Sequence, residues 1–209
     1  MAPGAEERPG AQRWVPAEGD VDALRAAAPG CRGCELWADA TQVVFSAGPS
    51  DARVVLVGEQ PGDREDREGE PFVGPAGRVL ADALAAAGID PESVYTTNAV
   101  KHFRFVDRGK RRIHKKPGVA HLQACGPWLA AELAAVRPEV VLCLGATAAR
   151  GVLGRAVRIG DVRGEVLEGE EAAPRVVVTT HPSAVVRLRG KPEFDAAFEE
   201  FVADLRAAT

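Results

Sequence analysis

The chain of 209 residues lacks the marks of a membrane, secreted or mononucleotide-binding protein. No stretch is apolar for long enough to span a bilayer. Residues 1–20 hold Pro, Gly, Ala and Glu without an apolar run, so a disordered lead-in is expected there, and no secretory signal. Neither a GxGxxG spacing nor a P-loop occurs, which removes support for the common nucleotide folds. There is no internal repeat and no linker, so one domain over residues 21–209 is expected. Only four cysteines occur, and in the intracellular, cytoplasmic protein that these absences suggest they are not expected to form disulfides. An excess of positive charge is missing too: 26 Lys and Arg stand against 30 Asp and Glu, a formal net charge of −4.

The distribution of charge is more informative than its sum. Lys101, Arg104, Arg108, Lys110, Arg111, Arg112, Lys115 and Lys116 crowd one segment, opposed there by Asp107 alone. The run Asp63, Glu65, Asp66, Glu68 and Glu70 offsets them in the total. A local basic patch still attracts phosphate, because charge is screened over short distances rather than averaged over the molecule. The basic segment contains Gly109, Pro117 and Gly118 and reads as a loop. A solvated loop with an idle His114 is its plain alternative.

The stretch Arg53 to Asp63, RVVLVGEQPGD, organises the rest. Arg53 to Val57 reads as a buried strand, and Gly58 opens a tight turn carrying Glu59, Gln60, Pro61, Gly62 and Asp63. Loops at the carboxyl edge of a parallel sheet are where open α/β folds bind ligands. Further strands are expected over 94–100, 139–144, 162–167 and 175–179, with helices over 76–87, 118–136, 146–153 and 194–205. That alternation predicts an α/β protein, three layers with a mostly parallel central sheet.

Several short elements carry possible chemistry. Cys31-Arg-Gly-Cys34 has a spacing that lets two thiolates reach one metal centre; a redox pair or chance are the alternatives. Phe72, between Pro71 and Gly74, is either a plug over the core or a stacking platform for a flat ligand. Asn98 ends the second strand and either turns the chain or offers a donor and an acceptor to a base edge. His121 lies one helical turn before Cys125, where an exposed helix histidine is expected rather than a ligand. Cys143 sits inside an apolar strand and reads as a small hydrophobe. Thr180-His181-Pro182-Ser183 closes the set at the end of the last strand.

In chain order, GEQPGD (58–63), PFVG (71–74), TNAVK (97–101) and HPS (181–183), with CxxC upstream, closely resemble the iron–sulfur uracil-DNA glycosylases. The resemblance runs from about Cys31 to Arg187. GEQPGD in place of GEGPGE, and the insert Lys110-Arg111-Arg112-Ile113-His114, resemble the UdgX branch, whose members become covalently joined to uracil-containing DNA. That resemblance implies the uracil-DNA glycosylase fold, a 4Fe–4S cluster and uracil excision from DNA, with single strands expected to be preferred and a monomer expected.

It also implies roles. Phe72 would stack on uracil and Asn98 would read its edge. His181 would donate to the departing base, and His114, assisted by Glu59, would attack C1′. Arg112 would place the insert or bind phosphate, Gln60 and Asp63 would hold the loop or the sugar neighbourhood, and Ser183 would line the substrate site. The third cluster ligand of the ordinary members falls on His102 here, so Cys31, Cys34, His102 and Cys125 are the expected ligands, with Cys143 as the alternative to His102 and zinc as the alternative to the cluster. A turnover glycosylase that releases an abasic site and a non-catalytic, metal-stabilised DNA-binding module are the competing functional readings.

Overall fold

A computed structural model describes residues 8–109, 111–169 and 172–208. Strands are β1 (Ser46–Ala47), β2 (Val54–Gly58), β3 (Tyr95–Asn98), β4 (Phe105–Arg108), β5 (Arg111–His114), β6 (Val140–Leu144), β7 (Val166–Glu168) and β8 (Arg175–Thr179). Helices are α1 (Val21–Ala27), α2 (Leu36–Asp39), α3 (Asp63–Glu68), α4 (Pro75–Ala87), α5 (Val119–Val136), α6 (Ala146–Leu153), α7 (Ile159–Val162), α8 (Pro182–Val186) and α9 (Phe194–Arg206).

Six strands form one sheet in the order β1-β3-β2-β6-β8-β7. The inner four are parallel, and β1 and β7 close the edges antiparallel. The inner strands β2, β6 and β8 are Val- and Leu-rich because both faces are covered. On one face Leu56, Leu142 and Val177 meet α4 and α9 residues such as Leu80, Leu84 and Phe201. On the other, Val55, Val57, Val141 and Val176 meet Trp128, Leu129 and Leu133 of α5. The three-layer α/β/α expectation holds. No helix among the described residues is long and apolar enough to cross a membrane.

The structure corrects several expectations. The basic segment is not a plain loop: β4 and β5 pair as an antiparallel hairpin, Phe105 opposite His114 and Arg108 opposite Arg111. Strand 162–167 splits into the end of α7 and the start of β7. The acidic run forms α3, whose first turn is held by Glu65 Oε2 accepting from the Gly62 N–H at 3.1 Å. The lead-in is also packed in part. Residues 1–7 lie outside the described residues, but Ala11 is fully buried and the Gly10 N–H donates to the Gly33 carbonyl at 3.0 Å. That contact ties the N-terminal segment to the CxxC turn.

Candidate functional site

The carboxyl ends of β2, β3, β6 and β8 surround a cavity of about 820 Å³. Glu59, Gln60, Phe72, Asn98, His114, Lys116, His181 and Ser183 are among its lining residues. The four expected motifs, far apart in sequence, therefore share one wall.

The floor is set by close backbone packing. A Cβ on Gly58 would lie 2.2 Å from Asn98 Oδ1 and 2.8 Å from Phe72 Cζ. Only a glycine there lets the ring and the carboxamide sit this close to β2. Phe72 adopts φ +58°, a left-handed conformation that costs a non-glycine residue energy and marks functional positions. A Cβ on Gly77 would lie 1.4 Å from the Phe72 carbonyl oxygen, so α4 must offer a glycine to this turn. Glu65 fastens the same turn to the first loop: Oε1 accepts from the Gly74 N–H at 2.8 Å while Oε2 caps Gly62. Sequence reasoning missed Glu65; its three-residue offset from Gly62 is the capping signal that marks it.

Asn98 is 3% exposed, and among the described residues its carboxamide has no hydrogen-bond partner. Its backbone is held from below. The Asn98 carbonyl accepts from Lys101 Nζ at 2.9 Å, and Lys101, itself 1% exposed, pairs with Glu132, which is fully buried. Glu132 Oε1 also accepts from Tyr95 Oη at 2.9 Å and meets Thr97 Oγ1 at 2.8 Å. Burial raises the Glu132 carboxyl, and Lys101 beside it opposes that rise. A buried ion pair is tolerated only when its remaining donors and acceptors are satisfied, as here. Thr97 and Lys101 were noted from sequence only as parts of TNAVK and of the basic segment, and Tyr95 and Glu132 not at all.

His181 is oriented unambiguously. Its Nδ1 accepts the Ser183 N–H at 3.1 Å and lies 2.9 Å from Ser183 Oγ. An Nδ1 that accepts carries no proton, so the neutral ring bears its hydrogen on Nε2. Burial, then the charges of His114 and Arg187, pull its pKa down to about 4. His181 is thus a neutral donor at physiological pH. Ser183, expected to bind substrate, lines the cavity and also sets this tautomer.

The hairpin delivers His114. Side chains alternate along a strand, so Arg112 and His114 share the face turned toward the body. His114 Nε2 lies 3.4 Å from Glu59 Oε1, and the ring packs 6.1 Å from Phe103. Gln60, Asp63 and Arg112 hold the hairpin. Gln60 is 7% exposed, and its Nε2 donates to the carbonyls of Arg104 (3.1 Å) and Lys115 (3.3 Å), while Oε1 accepts the Arg104 N–H. Arg112 Nε donates to Asp63 Oδ1 (2.5 Å) and Nη1 to the buried Asp66 (2.6 Å). The guanidinium also lies over Phe103 and Phe105. With its donors so engaged and its side chain 14% exposed, Arg112 is not offered to a phosphate. Of the roles expected for Gln60, Asp63 and Arg112, these contacts favour holding the loop and placing the insert, with Gln60 also lining the cavity.

The expected metal ligands form a second region. Cys31, Cys34, Cys125 and His102 are all buried. Among the described residues no three donors stand at metal-holding separation. Their chemistry nonetheless suits a metal. Cys31 Sγ accepts from Trp128 Nε1 (3.2 Å) and the Gly33 N–H (3.4 Å), and Cys125 Sγ from the Lys101 N–H (3.3 Å). N–H donors aimed at sulfur stabilise thiolate. Burial chiefly, with Cys31 adding to it, pushes the Cys34 and Cys125 thiols up to about 11 and about 12, while N–H donors and the Lys101 charge beside Cys125 oppose the rise. Burial likewise depresses His102 to about 4, and among the described residues its ring has no hydrogen-bond partner. Cys143 differs: it sits within β6 opposite Val57 and Val178, and only burial acts on its thiol. His121, expected to be exposed, is buried; its Nδ1 accepts the Gly118 N–H and its Nε2 meets Glu35 at 3.0 Å.

A flat platform, a buried free carboxamide and a neutral imidazole donor, grouped at the carboxyl edge of a parallel sheet, define a pocket for a planar polar heterocycle. Comparison with known proteins gives the family. The chain belongs to the uracil DNA glycosylase superfamily, whose family model matches residues 45–206. It is 36% identical over 177 residues to a type-4 uracil-DNA glycosylase of Archaeoglobus fulgidus, covering 81% of this chain and 85% of that protein. A type-4 uracil-DNA glycosylase of Thermotoga maritima is 38% identical over 160 residues, 76% of this chain and 79% of the relative. One from Pyrobaculum aerophilum is 32% identical over 187 residues, 85% of this chain and 92% of the relative.

Proposed function

We propose that the protein excises uracil from DNA, preferring single strands, and is then trapped on the resulting sugar through His114, as in the UdgX branch. The observation that carries this reading is the placement of His114, paired with Glu59, in the wall of the cavity that Phe72, Asn98 and His181 also line.

An enzyme that acts on a base must receive it extruded or unpaired. Phe72 stacks on the uracil, and the Asn98 carboxamide reads N3–H and O4 as acceptor and donor. A cytosine amine sets donor against donor there. As the C1′–N1 bond breaks, the base leaves as an anion and the sugar becomes oxocarbenium-like. His181 Nε2–H donates to uracil O2, where negative charge grows; one such donor contributes about 3 kcal/mol or more to lowering the barrier. One nitrogen of neutral His114 then forms a bond to C1′. The proton on its other nitrogen passes to Glu59, and the uracil anion takes a proton from solvent. An N-alkylated imidazole leaves poorly, so the adduct persists and each molecule acts once.

Cys31, Cys34, His102 and Cys125 would hold a 4Fe–4S cluster, which supplies a structural tie rather than a reaction step. It joins the N-terminal segment, the loop after β3 and α5. Visible absorption and iron and sulfide counts on anaerobic protein test it; colourless protein with one zinc per chain refutes it.

The experiment for the reaction is digestion of protein incubated with a uracil-containing single strand, followed by mass mapping. The proposal requires a deoxyribose-bearing peptide containing His114, with free uracil released in equal amount. Uracil released in excess over protein, without a modified peptide, would mean an ordinary turnover glycosylase.

A further inference from the structure

We propose that the solvent face of the β4–β5 hairpin docks the single DNA strand beside the reacting nucleotide; this rests on reading the cavity as a uracil-DNA glycosylase site. Alternation places Phe105, Asp107, Arg112 and His114 on the face toward the body. Val106, Arg108, Arg111 and Ile113 fall on the other. That outer face has two unfavourable features. Arg108 and Arg111 stand directly opposite each other, and like charges in that position destabilise a hairpin. Among the described residues neither has an ion-pair partner. Next to them Val106 and Ile113, also directly opposite, are 46% and 41% exposed.

An isolated two-stranded hairpin is marginal, and here it keeps a repulsive pair and an apolar pair in water. One kind of partner relieves both: a chain with anionic groups beside flat, weakly polar surfaces. A nucleic-acid single strand fits, its phosphate between the two arginines and a base or sugar against Val106 and Ile113. Location favours the same conclusion. Arg111 lies three residues from His114, roughly 10 Å along an extended strand, so a strand leaving the reaction centre over the hairpin edge reaches this face within about two nucleotides. Lys116 and Arg187 carry the positive charge into the cavity.

The test uses the full chain and a fluorescent, uracil-free single strand, titrated across salt concentrations. Replacing the pair as Arg108→Gln and Arg111→Gln should weaken binding about tenfold at low salt. It should also lower the log–log salt slope by about 0.7, the value for one phosphate contact on a single strand. The same variant should unfold at a temperature equal to or above that of the parent, since repulsion is relieved, which a merely structural role would not give. Val106→Ser with Ile113→Ser should weaken binding several-fold with the slope unchanged. Parental affinity and slope in the arginine variant would overturn the proposal, as would polyglutamate displacing the strand as well as DNA does. If parent and variants differ in binding as expected but no uracil is ever released, the glycosylase reading fails while the docking surface stands. If uracil is released and binding is unchanged, the docking surface alone fails.

Discussion

Replacing Arg112 by Ala should separate uracil excision from trapping. Arg112 reaches the fully buried Asp66 at 2.6 Å, and among the described residues that carboxylate otherwise accepts only from the Thr41 N–H. A charge-assisted hydrogen bond to a buried group contributes about 1.5–3 kcal/mol. The second link, to Asp63, is discounted to below about 1 kcal/mol because that side chain is 44% exposed. Loss of about 3 kcal/mol from hairpin docking increases the undocked population on the order of 100-fold. The pocket floor, built from Gly58, Phe72, Asn98 and His181, does not depend on Arg112. Single-turnover reactions with a labelled uracil strand, scored in parallel for free uracil and for detergent-stable adduct, measure the two steps. Uracil release should stay within a few-fold of the parent while adduct formation falls by at least tenfold. Arg112→Lys should not restore trapping, because an ammonium cannot serve Asp63 and Asp66 with a fixed fork. An Arg112→Ala protein that traps at the parental rate would refute this account of the hairpin.

Breaking the buried pair beneath Asn98 by Glu132→Leu should cost about 3–5 kcal/mol in urea unfolding, and Lys101→Met in the same chain should recover a large part of it. Gly77→Ala should lower uracil release roughly 100-fold, since the added methyl would displace the Phe72 backbone and a misplacement near 1 Å costs that much; parental release would contradict it. The depressed His181 pKa means the unfolded chain binds more protons than the folded one between pH 4 and 6.5. Stability from this group is therefore complete above pH 6.5 and is lost as pH falls toward 4, by up to about 3 kcal/mol. His181→Gln should flatten urea-unfolding stability across that window by a comparable amount.

The sheet was legible because β2, β6 and β8 are buried on both faces and read as unbroken apolar runs, and α4 and α9 show a clear apolar stripe. The hairpin was not. Its apolar residues, Val106 and Ile113, face solvent, and what docks it is remote in sequence: Gln60 on its stems and Asp66 under Arg112. The same remoteness kept the roles of Gln60 and Asp63 open. GEQPGD shows a glutamine and an aspartate, but not that both side chains bond to an insert 44 to 55 residues later. Glu59, Phe72, Asn98 and His181 were legible as strand-end groups, whereas Lys101 and Glu132 acquire meaning only when β3 and α5 pack. The N-terminal segment looked structureless by composition, yet Ala11 packs into the core and lies directly against Gly33 of the CxxC turn.

The central claim is that His114 captures the sugar left when uracil departs. Its most direct test is a denaturing gel of purified protein mixed with a labelled single strand bearing one uracil, with a thymine strand and a His114→Ala protein alongside. A heat- and detergent-stable shifted band only with the parent protein and only with uracil is the predicted result. Free protein beside an abasic strand, or an equal shift with His114→Ala, would contradict it.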